Sequence, residues 1–305
     1  MCVVGRSYPC GQGCGGRLPG VVSLRETSET QHRPSYFRGQ CWGAVGLVVG
    51  SLAACFCLPL ELRIHQGFRH LGQDEPASPR TRPSLAERVV QMALAFATGS
   101  DCPAFLVLDA FFSSAGVFRL ARSVYCLALK QPYLTILVKA KKHYVAYFPA
   151  APKPPQRPGP QARYGEKVHL MDCFDQPQLF HTAHCRVYGK LEEVQLMSVP
   201  LLWKPLGDWL LFIFAITSRG PLVLMSSDLT LSPATALELY CVRTRIDIYQ
   251  PYCLLKCVFQ VAERLTAPFS PIREARFATG VTLPTHCDPH RLTRRFGLSL
   301  LPDVH

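Results

Sequence analysis

The chain has 305 residues, 48% of them hydrophobic, and carries 33 Lys and Arg against 21 Asp and Glu, a formal charge of +12. This is enough to bury one large core, or one core with an inserted subdomain, and the positive excess favours a polyanionic partner, because each neutralised phosphate releases counterions. The 14 cysteines include no C-x2-C pair matched by a second one, which argues against a zinc module and for buried or free thiols.

Residues 1–18 show no clear period and are expected to be an atypical, irregular N-terminal segment. They are rich in Gly and Cys and lack the apolar stretch of a secretory signal. From about Val21 to His65 the pattern is strand-like, with turns expected at Arg38-Gly39 and Gly50-Ser51, and predicts an antiparallel meander. The uncharged stretch Trp42 to Leu60 mimics a membrane span. Gly50-Ser51 interrupts it, Val48 and Val49 are β-branched and Pro59 closes it, so it reads as two buried strands, with a membrane anchor as the competing reading.

After a polar, Pro-rich loop at 72–83, a helix is marked by an S-x-x-E capping box (Ser84, Glu87) and by Gly99 at its end, with Val89, Met92, Ala93 and Phe96 on one face. An apolar run from Ala104 to Leu108 ends in Asp109. Ser113 or Ser114 then caps a second helix expected to reach about Lys130, and another apolar run spans Tyr133 to Val138. Strand, helix and strand with short links predict a parallel βαβ unit.

Lys139, Lys141, Lys142 and His143 follow that strand. Residues 149–163 are rich in proline and hold no acid, and read as an extended, basic connector. Short strands from Lys167 to Ser198 suggest a β-rich insertion. The core resumes at Trp209 with a strand pair broken at Arg219-Gly220-Pro221. Ser232-Pro233 opens a helix that Pro251 should end. No period emerges over 257–305. The organisation is therefore read as an N-terminal segment (1–18), the first part of a core (19–148), a linker with a β-rich insertion (149–208), the end of the core (209–256) and an irregular tail (257–305).

Asp109 holds the position where open α/β sheets place functional groups, the carboxyl end of a parallel strand. It could equally do no more than satisfy loop amides. Tyr240, Arg243 and Asp247 share one helix face, so Arg243 is expected to pair with Asp247 or with a phosphate. His181, His184 and Cys185 sit close together, but no fourth ligand has a convincing spacing and their placement reads as incidental. Asp228 reads as a turn residue leading into the following helix.

Several blocks resemble the insertion-sequence transposases of the DDE superfamily, in the group with a Tyr-Arg-Glu-Lys signature. GRLPGVVSLRETSETQHRPSYFRGQCWGAVGLVVG looks like the family's early core, AFLVLDAFFSSAGVFRLA its second catalytic strand and RYGEKVHLMDCF a block of its β-rich insertion. LVLMSSDLTLSPATALELYCVRTRID resembles the approach to the signature. The resemblance covers roughly residues 16–247. It implies an α/β, ribonuclease H-like mixed sheet with flanking helices and a β-rich insertion, and metal-dependent cleavage and joining of DNA. Asp109 matches the second catalytic acid, Tyr240 and Arg243 match the signature's Tyr and Arg, and Asp247 stands where the family has its catalytic Glu.

By this resemblance Asp109 and Asp247 are the expected catalytic residues and ligands of Mg2+ or Mn2+, with ions held about 4 Å apart in the two-metal mechanism. Tyr240, Arg243, Lys139, Lys141 and Lys142 are the expected DNA contacts. The implied partner is DNA, as transposon ends and target, a homodimer is allowed, no membrane is involved, and the implied location is the bacterial cytoplasm at the nucleoid. The departures are specific. The family's first catalytic Asp lies on the strand shortly before the GRLPGV-like block, yet residues 1–18 hold no acid. Asp247 is one methylene shorter than Glu, and Leu254 stands where the family has its Lys. The expectation is a truncated, inactive transposase copy, with a catalytically dead, basic DNA-binding remnant as the alternative.

Overall fold

The computed structural model describes residues 2–11, 22–25, 36–52, 54–66, 83–152 and 160–243. All of them belong to the first of two compact units, Met1–Val258; the second, Phe259–His305, lies outside the described residues. Strands β1 (Cys2–Gly11), β2 (Val22–Arg25), β3 (Tyr36–Gly50) and β4 (Cys55–Gln66) come first. Helix α1 (Leu85–Gly99) leads into β5 (Ala104–Leu108), and α2 (Ala115–Ala121) into a small hairpin of β6 (Tyr125–Cys126) and β7 (Gln131–Pro132). Then follow β8 (Leu134–Lys139), β9 (Val145–Pro149), β10 (Tyr164–His169), β11 (His181–Val187), β12 (Lys190–Trp203), β13 (Asp208–Thr217) and β14 (Gly220–Ser226). Helix α3 covers residues 233–243.

The fold is mixed α/β with few helices and one large mixed sheet. That 12-stranded sheet runs β10-β9-β12-β13-β14-β8-β5-β1-β3-β2, with β11 added to β12 and β4 to β3. Its centre is a parallel trio: Val4 is level with Val107 in the β1–β5 pair, and Leu108 with Val138 in the β5–β8 pair. On one side of the trio β1, β3 and β4 pair antiparallel in succession. On the other, β14, β13 and β12 do the same from β8 outward.

Strand β5 is apolar throughout, and β8 is apolar from Ile136 to Val138, because both faces of these strands are covered. Leu106, Leu108, Ile136 and Val138 join a core with α1 and α2, and the alternate residues Val107 and Leu137 join a second core with α3. In α1 the Glu87 amide donates to Ser84 Oγ (3.2 Å), and the Ser84 amide to Glu87 Oε2 (2.7 Å). Two otherwise orphaned donors at the helix start are thereby satisfied. Val89, Met92 and Ala93 are buried against the sheet, whereas Phe96 is half-buried. Phe118 of α2 is fully buried, a burial that contributes about 2–3 kcal/mol.

Four expectations need correction. The segment expected to be irregular contains β1, which lies between β5 and β3; pairing on both sides holds a Gly- and Cys-containing sequence that has no strand signature of its own. No turn forms at Arg38-Gly39, because β3 is held there by Ser23 and Val22 of β2. The second helix stops at Ala121 instead of about Lys130. Gln131-Pro132 belongs to the β6–β7 hairpin instead, and a residue before proline is biased away from helix. The strands of the expected insertion are hydrogen-bonded into the main sheet, since β12 runs on to Trp203 along β13 and touches β9 through Leu202 and Tyr147.

Trp42 to Gly50 lies in β3 and Cys55 to Leu60 in β4. Among the described residues no helix is long and apolar enough to cross a membrane.

Candidate functional site

The site forms where β5 ends and α3 arrives. Asp109 follows the last residue of β5, and its Oδ1 accepts the Phe111 amide at 2.9 Å, capping the short helical turn Ala110–Phe112. One oxygen therefore does what an ordinary loop aspartate does. The other, Oδ2, lies 3.8 Å from Nη1 of Arg243.

Arg243 reaches that point because α3 is seated by its apolar side. Pro233 opens the helix, and the Ser232 carbonyl accepts the Ala236 amide at 2.9 Å. Ala236, Leu237, Tyr240 and Cys241 pack in one core with Val107, Leu137, Leu211 and Leu224 of the sheet. Arg243, three residues beyond Tyr240, is then only 7% exposed. Its Nη2 lies 3.4 Å from the Tyr240 hydroxyl, and its guanidinium 5.1 Å from the centre of that ring. Burial pushes the Tyr240 phenol up to about 12, with Arg243 acting in the opposite sense.

A second cation–aromatic pair stands nearby. The Arg219 guanidinium is 3.7 Å from the centre of the Tyr188 ring. Tyr188 sits in the β11–β12 turn in the left-handed region at φ 48°, and burial raises its phenol while Arg219 and Arg243 both act to lower it. Sequence reasoning missed both residues. Their only local signals are the Tyr188-Gly189 and Arg219-Gly220 turn pairs, and neither reveals that the two hairpin tips meet.

Lys139 ends β8 and, by the register of Leu108 with Val138, stands level with Asp109 on the neighbouring strand. Lys141 and Lys142 lie beyond it in the turn to β9. Lys142 is exposed, whereas Lys141 is half-buried, with its Nζ 5.9 Å from the Tyr144 ring. The structure thus brings together Asp109, Tyr240 and Arg243, and places Lys139 at the adjacent strand end. Asp247 lies outside the described residues.

The metal centre implied by the resemblance needs several converging carboxylates. Of those expected, the described residues supply Asp109 alone, with one oxygen on an amide and the other facing a guanidinium. The sequence of β1, CVVGRSYPCG, has none to add. Among the described residues no group of three or more His, Cys, Asp and Glu could hold a metal ion. The donors among the described residues do not by themselves make a two-metal site. His181 and His184 are exposed on β11, and Cys185 is buried. Asp228 accepts from the amide (2.8 Å) and hydroxyl (2.7 Å) of Thr230, as a turn residue does.

No protein-family model matches this chain, and no curated protein matches it. The site is a partly exposed carboxylate facing a buried guanidinium that lies beside a tyrosine, with a lysine at the adjacent strand end.

Proposed function

We propose that this chain is a DNA-binding protein on a ribonuclease H-like core of the DDE-transposase type, one that grips the phosphate backbone without a complete carboxylate set for strand cleavage. The observation that carries this reading is the approach of Arg243 to Asp109 at 3.8 Å. The residue resembling the family's second acid and the one resembling its signature Arg come from segments far apart in the chain, and they meet at one strand end. The antiparallel meander β1-β3-β4 followed by parallel β5 and β8 supports the same reading, as does the formal charge of +12.

The division of labour follows from the geometry. Asp109 is a positioning residue: it holds the Arg243 guanidinium at the end of β5. Lys139 offers positive charge there to a phosphate, with Arg243 buried behind it, and Lys141 and the exposed Lys142 in the following turn add non-specific contact. Guanidinium and ammonium groups are the usual donors to DNA phosphates, and such contacts set orientation without reading sequence. With β1 free of acids, metal-assisted attack on a phosphodiester has no support from this strand, and the reading is of binding without cleavage.

The test combines two assays on the full chain. A gel shift on linear duplex should show retention that weakens steeply as salt rises. A nicking assay on supercoiled DNA with Mn2+ should show no cleavage. Cleavage that is abolished by Asp109→Ala would replace this reading with an active nuclease, and absence of any duplex binding would remove it.

A further inference from the structure

On the α1/α2 face of the sheet lies a cavity of about 550 Å3 to which the DNA grip assigns no role beyond Lys141. Its aromatic lining is Tyr144, Tyr147 and Trp203. The Tyr144 and Trp203 rings lie 5.5 Å apart, tilted by 38°. The Tyr144 hydroxyl donates to the Ser113 carbonyl, which fixes that ring in place. Lys141, His143 and Lys204 also line it, and among the described residues no acid does. Lys141 holds its ammonium 5.9 Å from the centre of the Tyr144 ring, so positive charge and aromatic surface are adjacent.

These features match one kind of ligand. The volume falls in the range of small-molecule sites. Aromatic side chains accept a planar base by stacking, whichever base it is. Lysines with no carboxylate among the lining residues attract a phosphate.

We propose that this cavity is a nucleotide pocket, with the base against Tyr144 and Tyr147, behind which Trp203 is buried, and the phosphate held by Lys141 and Lys204 beside His143. The preference for phosphate over another anion rests on the DNA-binding reading; the pairing of an aromatic wall with a cationic rim does not. The turn capped by Asp109 ends at Phe112, next to the lining residue Ser113, so the pocket lies one short segment from the DNA grip. A free nucleotide and an unpaired nucleotide of a strand present the same chemistry.

The test is calorimetric titration of the full chain with AMP, adenosine and inorganic phosphate in turn. AMP should bind at least about tenfold more tightly than either of the others. Lys204→Ala should weaken AMP by about fivefold or more and leave adenosine unchanged, whereas Tyr147→Ala should weaken both. Displacement of AMP by a single-stranded oligonucleotide would assign the pocket to a nucleotide within a strand, and failure to displace it would assign the pocket to the free nucleotide. AMP binding no tighter than inorganic phosphate, or insensitive to both substitutions, would overturn the proposal. Duplex DNA titrated in parallel keeps the two readings apart: AMP binding without duplex binding removes the DNA grip alone, and duplex binding without AMP binding removes the pocket alone.

Discussion

Arg243 stands 3.8 Å from Asp109 and 3.4 Å from the Tyr240 hydroxyl, so a cation that is almost entirely buried is held by a carboxylate at a strand end and a phenol on its own helix. A buried guanidinium is costly unless paired. Asp109→Asn keeps an oxygen to accept the Phe111 amide but removes the charge, whereas Asp109→Ala removes both. Urea unfolding should show Asn milder than Ala. A double-mutant cycle with Arg243→Gln should give a coupling of about 1 kcal/mol, because one partner is partly exposed and screened. Additive effects within error would mean that the pair contributes nothing.

The start of α1 gives a sharper stability test. Ser84→Ala should cost about 1 kcal/mol by removing the cap. Gly116 of α2 touches the same box: an added Cβ there would fall 2.1 Å from Glu87 Oε1. Glycine to alanine in a helix ordinarily stabilises by about 1 kcal/mol. Here the new methyl must push away a carboxylate whose other oxygen receives the Ser84 amide. Gly116→Ala should therefore destabilise the wild-type chain, and by less in a Ser84→Ala background, as read from thermal midpoints.

Tyr240 makes the fold sensitive to base. Its phenol is raised from 10.0 to about 12, chiefly by burial. The folded state thus holds the proton more tightly than the unfolded state, so this contribution is fully present below pH 10 and is lost as pH rises towards 12. Cys241 acts in the same direction, raised by burial from 9.0 to about 11. Stability measured against pH should fall from about 9 upward, and Tyr240→Phe should flatten the part above 10, on the order of 2 kcal/mol. An unchanged alkaline limb in that variant would show that Tyr240 is not the group responsible.

Strand β1 joins the antiparallel meander to the parallel strands, since it pairs with β3 on one side and β5 on the other. Val4→Pro removes an amide from a strand flanked on both sides and should cost about 3 kcal/mol or more, whereas Val4→Thr should cost far less. Denaturant midpoints that do not separate the two variants would argue that residues 2–11 are not in the sheet.

The parts legible in the sequence were those set by local chemistry. The capping box at Ser84, the doubly apolar run Ala104 to Leu108 and the Ser232-Pro233 helix start each carry their cause within a few residues, and the structure has all three. Strand β1 was invisible because its order comes from neighbours distant in the chain, and its own sequence alternates weakly. The contact of Arg243 with Asp109 was not legible for the same reason. Helical spacing points only to partners on the same helix, such as Asp247, which lies outside the described residues, whereas the carboxylate 3.8 Å away follows β5, more than a hundred residues earlier. Tyr188 and Arg219 lie on two separate hairpin tips, and only the assembled sheet stacks them.

The most direct measurement is the affinity of the full chain for a short duplex as a function of salt, for the wild type and for a variant with Lys139, Lys141 and Lys142 all changed to alanine. The wild type should bind with log affinity falling linearly against log salt, and the variant should bind more weakly with a slope shallower by about 2 to 3. Identical slopes in the two proteins, or a wild type that does not retain DNA at low salt, would contradict a phosphate grip at the carboxyl ends of β5 and β8.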